Sequence, residues 1–263
     1  MSAVLPAPLR RILPRRVLQS LRSLVWSLPN LDRNLRSGLR VHIGNASDWL
    51  VFNEIFVDGD YDAAIDGLIG RDEPLEILDL GANVGFFCLR VADVLIRREI
   101  DFRITAVEGS PRTFVELRRR LDQPLLENRL RLLQGLVGGR GGSASLAVRE
   151  THFTSSTRRS QAGDTVVEVP YVDLDDEPIW GAVPPAIDLL KCDIEGSEQL
   201  FLETYPQILE RTRALVLEIH SLECDRDRCL ELLTASGLER QELLDVNQVT
   251  GTSLHYCRRG EGQ

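Results

Sequence analysis

The sequence predicts an α/β fold: a mostly parallel sheet with helices on both faces, an antiparallel C-terminal hairpin and a helical N-terminal extension. Three observations predict it. Leu75, Ile77, Leu78 and Leu80 form a short apolar run, followed by a glycine turn and by helical spacing at Cys88, Val91, Ala92 and Leu95. That is a buried strand, a turn and a helix. Further apolar runs at 102–108, 130–137, 187–194 and 214–220 alternate with helical segments, as βα units do. Finally, 243–249 and 253–257, separated by Thr250-Gly251-Thr252, read as a closing hairpin.

With 263 residues and an apolar fraction of 43%, one α/β domain over 49–263 is expected, preceded by a basic amphipathic helical extension over 1–48. The formal charge of −9 makes nucleic acid an unexpected partner. The five cysteines, Cys88, Cys192, Cys224, Cys229 and Cys257, show no Cys-x-x-Cys spacing. A reduced, cytoplasmic protein without a zinc site is the expectation. No apolar run reaches the roughly eighteen residues of a membrane span.

Residues 1–40 hold eight arginines and one acid, Asp32, so the chain is electrically lopsided. Pro14 can open a helix. Val17, Leu18, Leu21, Leu24, Val25 and Leu28 then share a face opposite Arg15, Arg16 and Arg22. Residues 14–28 could pack on the acidic body, form a dimer contact, lie on an anionic membrane or dock an acidic carrier protein. The interrupting arginines argue against a secretory signal, although a transit peptide shares this composition. Gly44-Asn45 and Gly59 mark turns around 42–62.

In the turn at 79–85, Gly81 and Gly85 allow tight backbone and close ligand approach. The following helix points free N–H groups at its occupant. Glu108 closes the second strand a little over twenty residues on, where nucleotide-binding α/β units place an acid for ribose hydroxyls. The turn reads Asp-x-Gly-x-Asn-x-Gly, and an acid before the first glycine suits a cationic amine better than a pyrophosphate. Ser110 is an N-cap candidate and Pro111 a first helical residue. Ser145, Ala147 and 166–172 alternate as a small hairpin. Around its polar 152–160 loop, residues 144–178 are the candidate substrate wall.

Four segments together carry a resemblance: Asp79-Leu-Gly-Ala-Asn-Val-Gly-Phe-Phe, Val107-Glu-Gly-Ser-Pro111, Leu190-Lys-Cys-Asp-Ile-Glu-Gly-Ser-Glu198 and Leu215-Val-Leu-Glu-Ile-His220. Over 49–257 the chain resembles the FkbM-type class I S-adenosylmethionine-dependent methyltransferases. The resemblance implies a Rossmann-like sheet of seven strands, and methyl transfer that is usually to a hydroxyl. It implies S-adenosyl-L-methionine as cofactor, bound by Asp79, Gly81, Asn83, Gly85, Glu108 and Ser110. Glu54 and Tyr61 would stand near its methionine end, or form a surface helix and its cap. Leu136 and Val137 would border the adenine.

Asp79, Asp193, Glu195, Glu218 and His220 fall at strand ends, which face the ligand crevice of an open α/β sheet. A hydroxyl acceptor needs a base. His220 is the first candidate, Asp193 the second, and Lys191 a weaker one because a carboxylate neighbour would keep it protonated. Structural readings stand beside these: Asp193 could pair with Lys191, Glu218 and His220 share a strand face, and Glu195 could cap the next helix. Asp193 and Glu195 could hold Mg²⁺, but two carboxylates are too few to define a metal site. The leading reading is O-methylation of a sugar or natural-product acceptor. N-methylation and a non-catalytic scaffold tethered through its N-terminal helix are the alternatives.

Overall fold

A computed structural model describes residues 31–71, 74–148, 165–181, 185–248 and 250–260. The amphipathic stretch 14–28 and the 152–160 loop lie outside them.

The chain is described from a β-hairpin of β1 (Leu31–Asn34) and β2 (Arg40–Ile43). Leu39, Val41 and Ile43 alternate with Arg40 and His42, which is strand periodicity, and all three are buried in the main core. The helical extension expected over 1–48 therefore does not hold from residue 31 onwards, where the chain is integral to the body. Helix α1 (Ala46–Asn53) follows, capped by Asn45, whose side chain accepts from the Asp48 N–H at 2.9 Å. It runs into one π-helical turn, Glu54–Asp58, that stops at left-handed Gly59. The short α2 (Asp62–Asp66) leads to the sheet.

β3 (Leu75–Leu80) is buried at all six positions, as the central strand of a doubly covered sheet must be. α3 (Phe86–Arg97), β4 (Phe102–Glu108), α4 (Pro111–Leu121) and β5 (Leu130–Gln134) complete the first half. The third strand stops short of 137. At Gly135 a side chain would strike Val172 and the Pro170 carbonyl, at 2.6 and 2.8 Å. Beyond it, Leu136 leaves the sheet and pairs with the hairpin formed by β6 (Ser143–Val148) and β7 (Thr165–Pro170).

β8 (Leu189–Cys192), α5 (Glu198–Thr204), α6 (Pro206–Glu210), β9 (Ala214–His220) and α7 (Arg226–Ala235) form the second half. β10 (Arg240–Asn247) and β11 (Thr252–Arg258) are the antiparallel closing hairpin. The seven-stranded order is β10-β11-β9-β8-β3-β4-β5, antiparallel only at β11. The carboxyl ends of β3, β4, β8 and β9 thus open on one edge. Two large clusters of buried apolar side chains pack the sheet. Among the described residues no helix is long and apolar enough to cross a membrane.

Candidate functional site

Two cavities open along that edge. The larger, about 560 Å³, lies between α1 with its π-turn and the closing hairpin. The smaller, about 80 Å³, lies beside the ends of β4 and β5. Asn83, Asp193 and Glu195 line both, so the two meet there.

The turn after β3 is built for close approach. Gly81 has φ +76°, and a Cβ there would sit 1.7 Å from the Asp193 carbonyl oxygen. Only glycine lets the β3 and β8 ends touch. Gly85 (φ +90°) is pressed against Leu117 and Leu121; it serves helix packing and lines neither cavity. Asn83 is itself left-handed (φ 51°), which presents its N–H to Glu108 Oε2 at 2.9 Å. Glu108 Oε1 accepts from the Ser110 N–H at 2.7 Å. A carboxylate has about four lone-pair sites, so Glu108 keeps acceptor capacity for two hydroxyls. Burial pushes it up to about 7, against the lowering effect of those two N–H groups. Ser110 caps α4 through the Thr113 N–H at 3.3 Å and orients Glu108. Leu136 and Val137 line the same small cavity.

Asp79 is placed differently from expectation. It is fully buried and lines neither cavity. Because Asp79 and Lys191 are register partners across β3 and β8, its carboxylate faces Lys191 Nζ at 3.5 Å and takes the Cys88 thiol at 3.2 Å. The Lys191 ammonium donates to the Gly81 carbonyl at 2.6 Å and also faces Asp193 at 3.5 Å. Burial disfavours its charge, but Asp79 and Asp193 outweigh this and hold its pKa well above the usual lysine range. Lys191 is thus a fixed cation rather than a base.

His220, at the end of β9, is gripped from below. Its Nδ1 lies 2.9 Å from Oε1 of Glu198, a carboxylate with no exposed surface, and its Nε2 lies 3.4 Å from Glu195 Oε2. Glu198 also accepts from the Ile194 and Gly196 N–H groups and the Cys224 thiol. Burial opposes its charge, yet the His220 hydrogen bond and charge and the Gly196 N–H hold it below the usual range. Burial likewise lowers His220, but the Glu198 bond and charge, then Asp193 and Glu195, push it up to about 10. These carboxylates favour the imidazolium form of the ring. The neutral free base expected of His220 requires positive charge to enter this site.

Acids dominate the larger cavity. Burial first and Asp193 next raise Glu195 to about 8 and Glu218 to about 7. The enclosing wall and Asp60 raise Glu54 to about 7, and burial and Asp58 raise Asp60 to about 6. Glu54 and Tyr61 both line this cavity, Tyr61 packing edge-on against Phe87 with ring centroids 5.2 Å apart. Asp245, Asn247, Thr250 and Thr252 form the opposite wall. No described residue of 144–178 lines it; Leu146 touches only the small cavity. The β6–β7 hairpin pairs with the chain beyond β5, at the Glu108 end of the edge. Asp193, Glu195 and His220 are the described residues whose metal-ligating atoms converge.

The profile of the FkbM methyltransferase domain matches residues 79–248, more than half of the chain. The chain belongs to the FkbM methyltransferase family. The family is S-adenosylmethionine-dependent, and the Gly81 turn with Glu108 belongs to its matched segment. No curated protein matches the chain. Among solved structures, the methyltransferase FkbM from Methylobacillus flagellatus KT shares 16% identity and a TM-score of 0.51, over 73% of this chain and 45% of that one. This chain therefore spans under half the length of that FkbM relative, and the likeness shows the fold. A precorrin-6y C5,15-methyltransferase from Geobacter metallireducens GS-15 follows at 13% identity and a TM-score of 0.46, covering 77% and 89%. The N-terminal domain of EvdMO1 with SAH bound has 14% identity and a TM-score of 0.47, covering 94% and 98%.

Sequence reasoning missed Glu198, Asp60, Asp245 and Thr252. Glu198 was visible as part of Glu-Gly-Ser-Glu at a helix start, where acids are ordinary. Its role depends on His220 arriving from another strand. The closing-hairpin residues gave no signal, because a solvent-edge turn reads as polar whatever it borders.

Proposed function

We propose that this FkbM-family protein transfers the methyl group of S-adenosylmethionine to a hydroxyl of a small molecule of the sugar or natural-product class. The observation that carries the reading is the Asp193–Glu195–His220 cluster at the junction of the two cavities. A hydroxyl must lose a proton as it attacks, whereas a neutral amine already offers a lone pair.

In this reading the adenosine lies across the mouth of the small cavity, with Glu108 accepting from the ribose hydroxyls and Leu136 and Val137 beside the adenine. The methionine end crosses the Gly81–Asn83 turn towards Asp193, Glu54 and Tyr61. The acceptor fills the larger cavity between the π-turn and the closing hairpin. Its oxygen must be held in line with the methyl carbon, about 3–3.5 Å away. The new C–O bond forms as C–S breaks, S-adenosylhomocysteine leaves, and the hydroxyl proton passes into the cluster.

The test is a panel of polyols, sugars and amines incubated with S-adenosylmethionine, read by product mass and S-adenosylhomocysteine release. Methylated hydroxyls are expected; products methylated only on nitrogen overturn the reading. With the acceptor found, His220→Ala is expected to leave cofactor affinity nearly unchanged and to lower turnover on the order of a hundredfold or more. Equal loss of both would make His220 structural.

A further inference from the structure

The strand ends bring a third metal-competent side chain to the two carboxylates visible in the sequence. Asp193, Glu195 and His220 each offer one ligand atom, and these atoms lie within 4.8 Å of one another. First-row ions bond carboxylate oxygen and imidazole nitrogen at about 2.0–2.2 Å. Small rotations suffice to close the set, because all three side chains are partly exposed, at 28%, 35% and 14%.

A second observation concerns how His220 is held. The far nitrogen of His220 is held at 2.9 Å by Glu198, whose side chain has no exposed surface. A buried carboxylate on the non-ligating nitrogen fixes tautomer and ring orientation in metal-binding histidines. Glu198 is itself fixed by the Ile194 and Gly196 N–H groups, so it aims His220 without being able to reach the site. The ring it aims turns Nε2 towards Glu195, on the wall of the 560 Å³ cavity. Among the described residues, Lys191 and His220 are the basic side chains lining that cavity. Lys191 is spent on Asp79, Asp193 and the Gly81 carbonyl.

We propose that Asp193, Glu195 and His220 form a divalent-cation site at the junction of the two cavities. One nitrogen and two oxygens suit a transition ion such as Mn²⁺, Fe²⁺ or Zn²⁺ better than Mg²⁺, which prefers an all-oxygen shell. Three protein ligands leave coordination positions open to the larger cavity. A bound hydroxyl oxygen there loses its proton more readily, and a vicinal diol could chelate. The use of the ion rests on the hydroxyl-methylation reading; its binding does not.

The test uses full-length protein stripped with chelator and dialysed. Mn²⁺ is titrated by electron paramagnetic resonance and calorimetry, with and without S-adenosylhomocysteine. One Mn²⁺ per chain is expected, displaced by Zn²⁺, with Mg²⁺ at least tenfold weaker. His220→Ala and Glu195→Gln should each weaken Mn²⁺ at least tenfold while melting and S-adenosylhomocysteine binding persist. Glu198→Gln keeps all three ligands and should still weaken binding by about 10–100-fold. If His220→Ala does not fold, Glu195→Gln and Glu198→Gln carry the test. Folded wild-type protein that binds neither Mn²⁺ nor Zn²⁺ in either condition overturns the site, as does binding untouched by these substitutions. S-adenosylmethionine titrated into the stripped protein separates the two readings. Cofactor bound without any metal uptake defeats only the cation site; metal bound without cofactor defeats only the methyltransferase reading.

Discussion

Among the described glycines, Gly81 has the least latitude. Its left-handed backbone penalises any side chain, and a Cβ there would fall 1.7 Å from the Asp193 carbonyl oxygen. Gly81→Ala should therefore cost more than about 3 kcal/mol in denaturant unfolding. Gly70→Ala is the control. It has a similar φ of +83° but nothing within 4 Å, so it should cost only about 1–2 kcal/mol of backbone strain. Equal costs would show that the β3–β8 contact does not decide. Glu108 gives a second residue-scale prediction. Glu108→Ala should weaken S-adenosylmethionine binding by about 1–3 kcal/mol in calorimetry, the range for losing a charged hydrogen-bond acceptor. Its pKa is raised to about 7, so the ionised fraction grows as pH rises through 7. Ribose hydroxyls need the ionised acceptor. Affinity should therefore fall as pH drops below about 7 in the wild type, and Glu108→Gln should lose that slope. An identical slope in both would place the titrating group elsewhere. Both residues stand out in the sequence by their spacing, and the fold brings Glu108 against the turn that Gly81 opens. Glu198 does not stand out: its burial and its hold on His220 exist only once α5 and β9 have packed.

The buried Arg120–Asp48 ion pair, at 3.0 Å, ties elements that the sequence did not connect. Arg120 sits on α4, Asp48 on α1, and the same guanidinium also donates to the His42 carbonyl on β2. It further lies over the Phe86 ring at 4.4 Å. Asp48 and Arg120 are nearly sealed from solvent, with 1% and 4% of their side chains exposed. Removing one partner strands the other's charge, which costs about 3–5 kcal/mol. Arg120→Met should therefore destabilise strongly, and adding Asp48→Asn should recover part of the loss. Additive losses in urea melts would mean that the pair is not coupled. Pattern reading found the central strands because burial on both faces leaves continuous apolar runs. It missed the β1–β2 hairpin, whose four-residue strands alternate too briefly to stand out from an arginine-rich stretch. It did not single out the residues that line the larger cavity, for a related reason. An irregular insertion at 144–178 attracts attention, whereas among the described residues the 560 Å³ cavity is lined by a regular helix, its π-turn and a hairpin.

At the scale of the whole molecule, the charge lopsidedness of the chain does not coincide with its folding boundary. The basic composition runs to residue 40, whereas the hairpin described from Leu31 is already part of the core. Leu39, Val41 and Ile43 are at most 1% exposed. Burying such side chains contributes roughly 1.5–3 kcal/mol each, an upper figure because denatured chains are already partly compact. Together they approach the whole net stability of an ordinary domain, about 5–15 kcal/mol. Two truncations then separate composition from structure. A chain beginning at Pro29 keeps β1, β2 and the Arg120 anchor, and should melt cooperatively and bind S-adenosylmethionine as the full chain does. A chain beginning at Asn45 loses the three core side chains and the His42 carbonyl, and should lose its cooperative melt, although it starts near the boundary that composition suggests. If the shorter chain folds and binds cofactor normally, the hairpin is an accessory and the domain begins where its charge changes. If the longer chain fails, residues 1–28 are part of the folding unit.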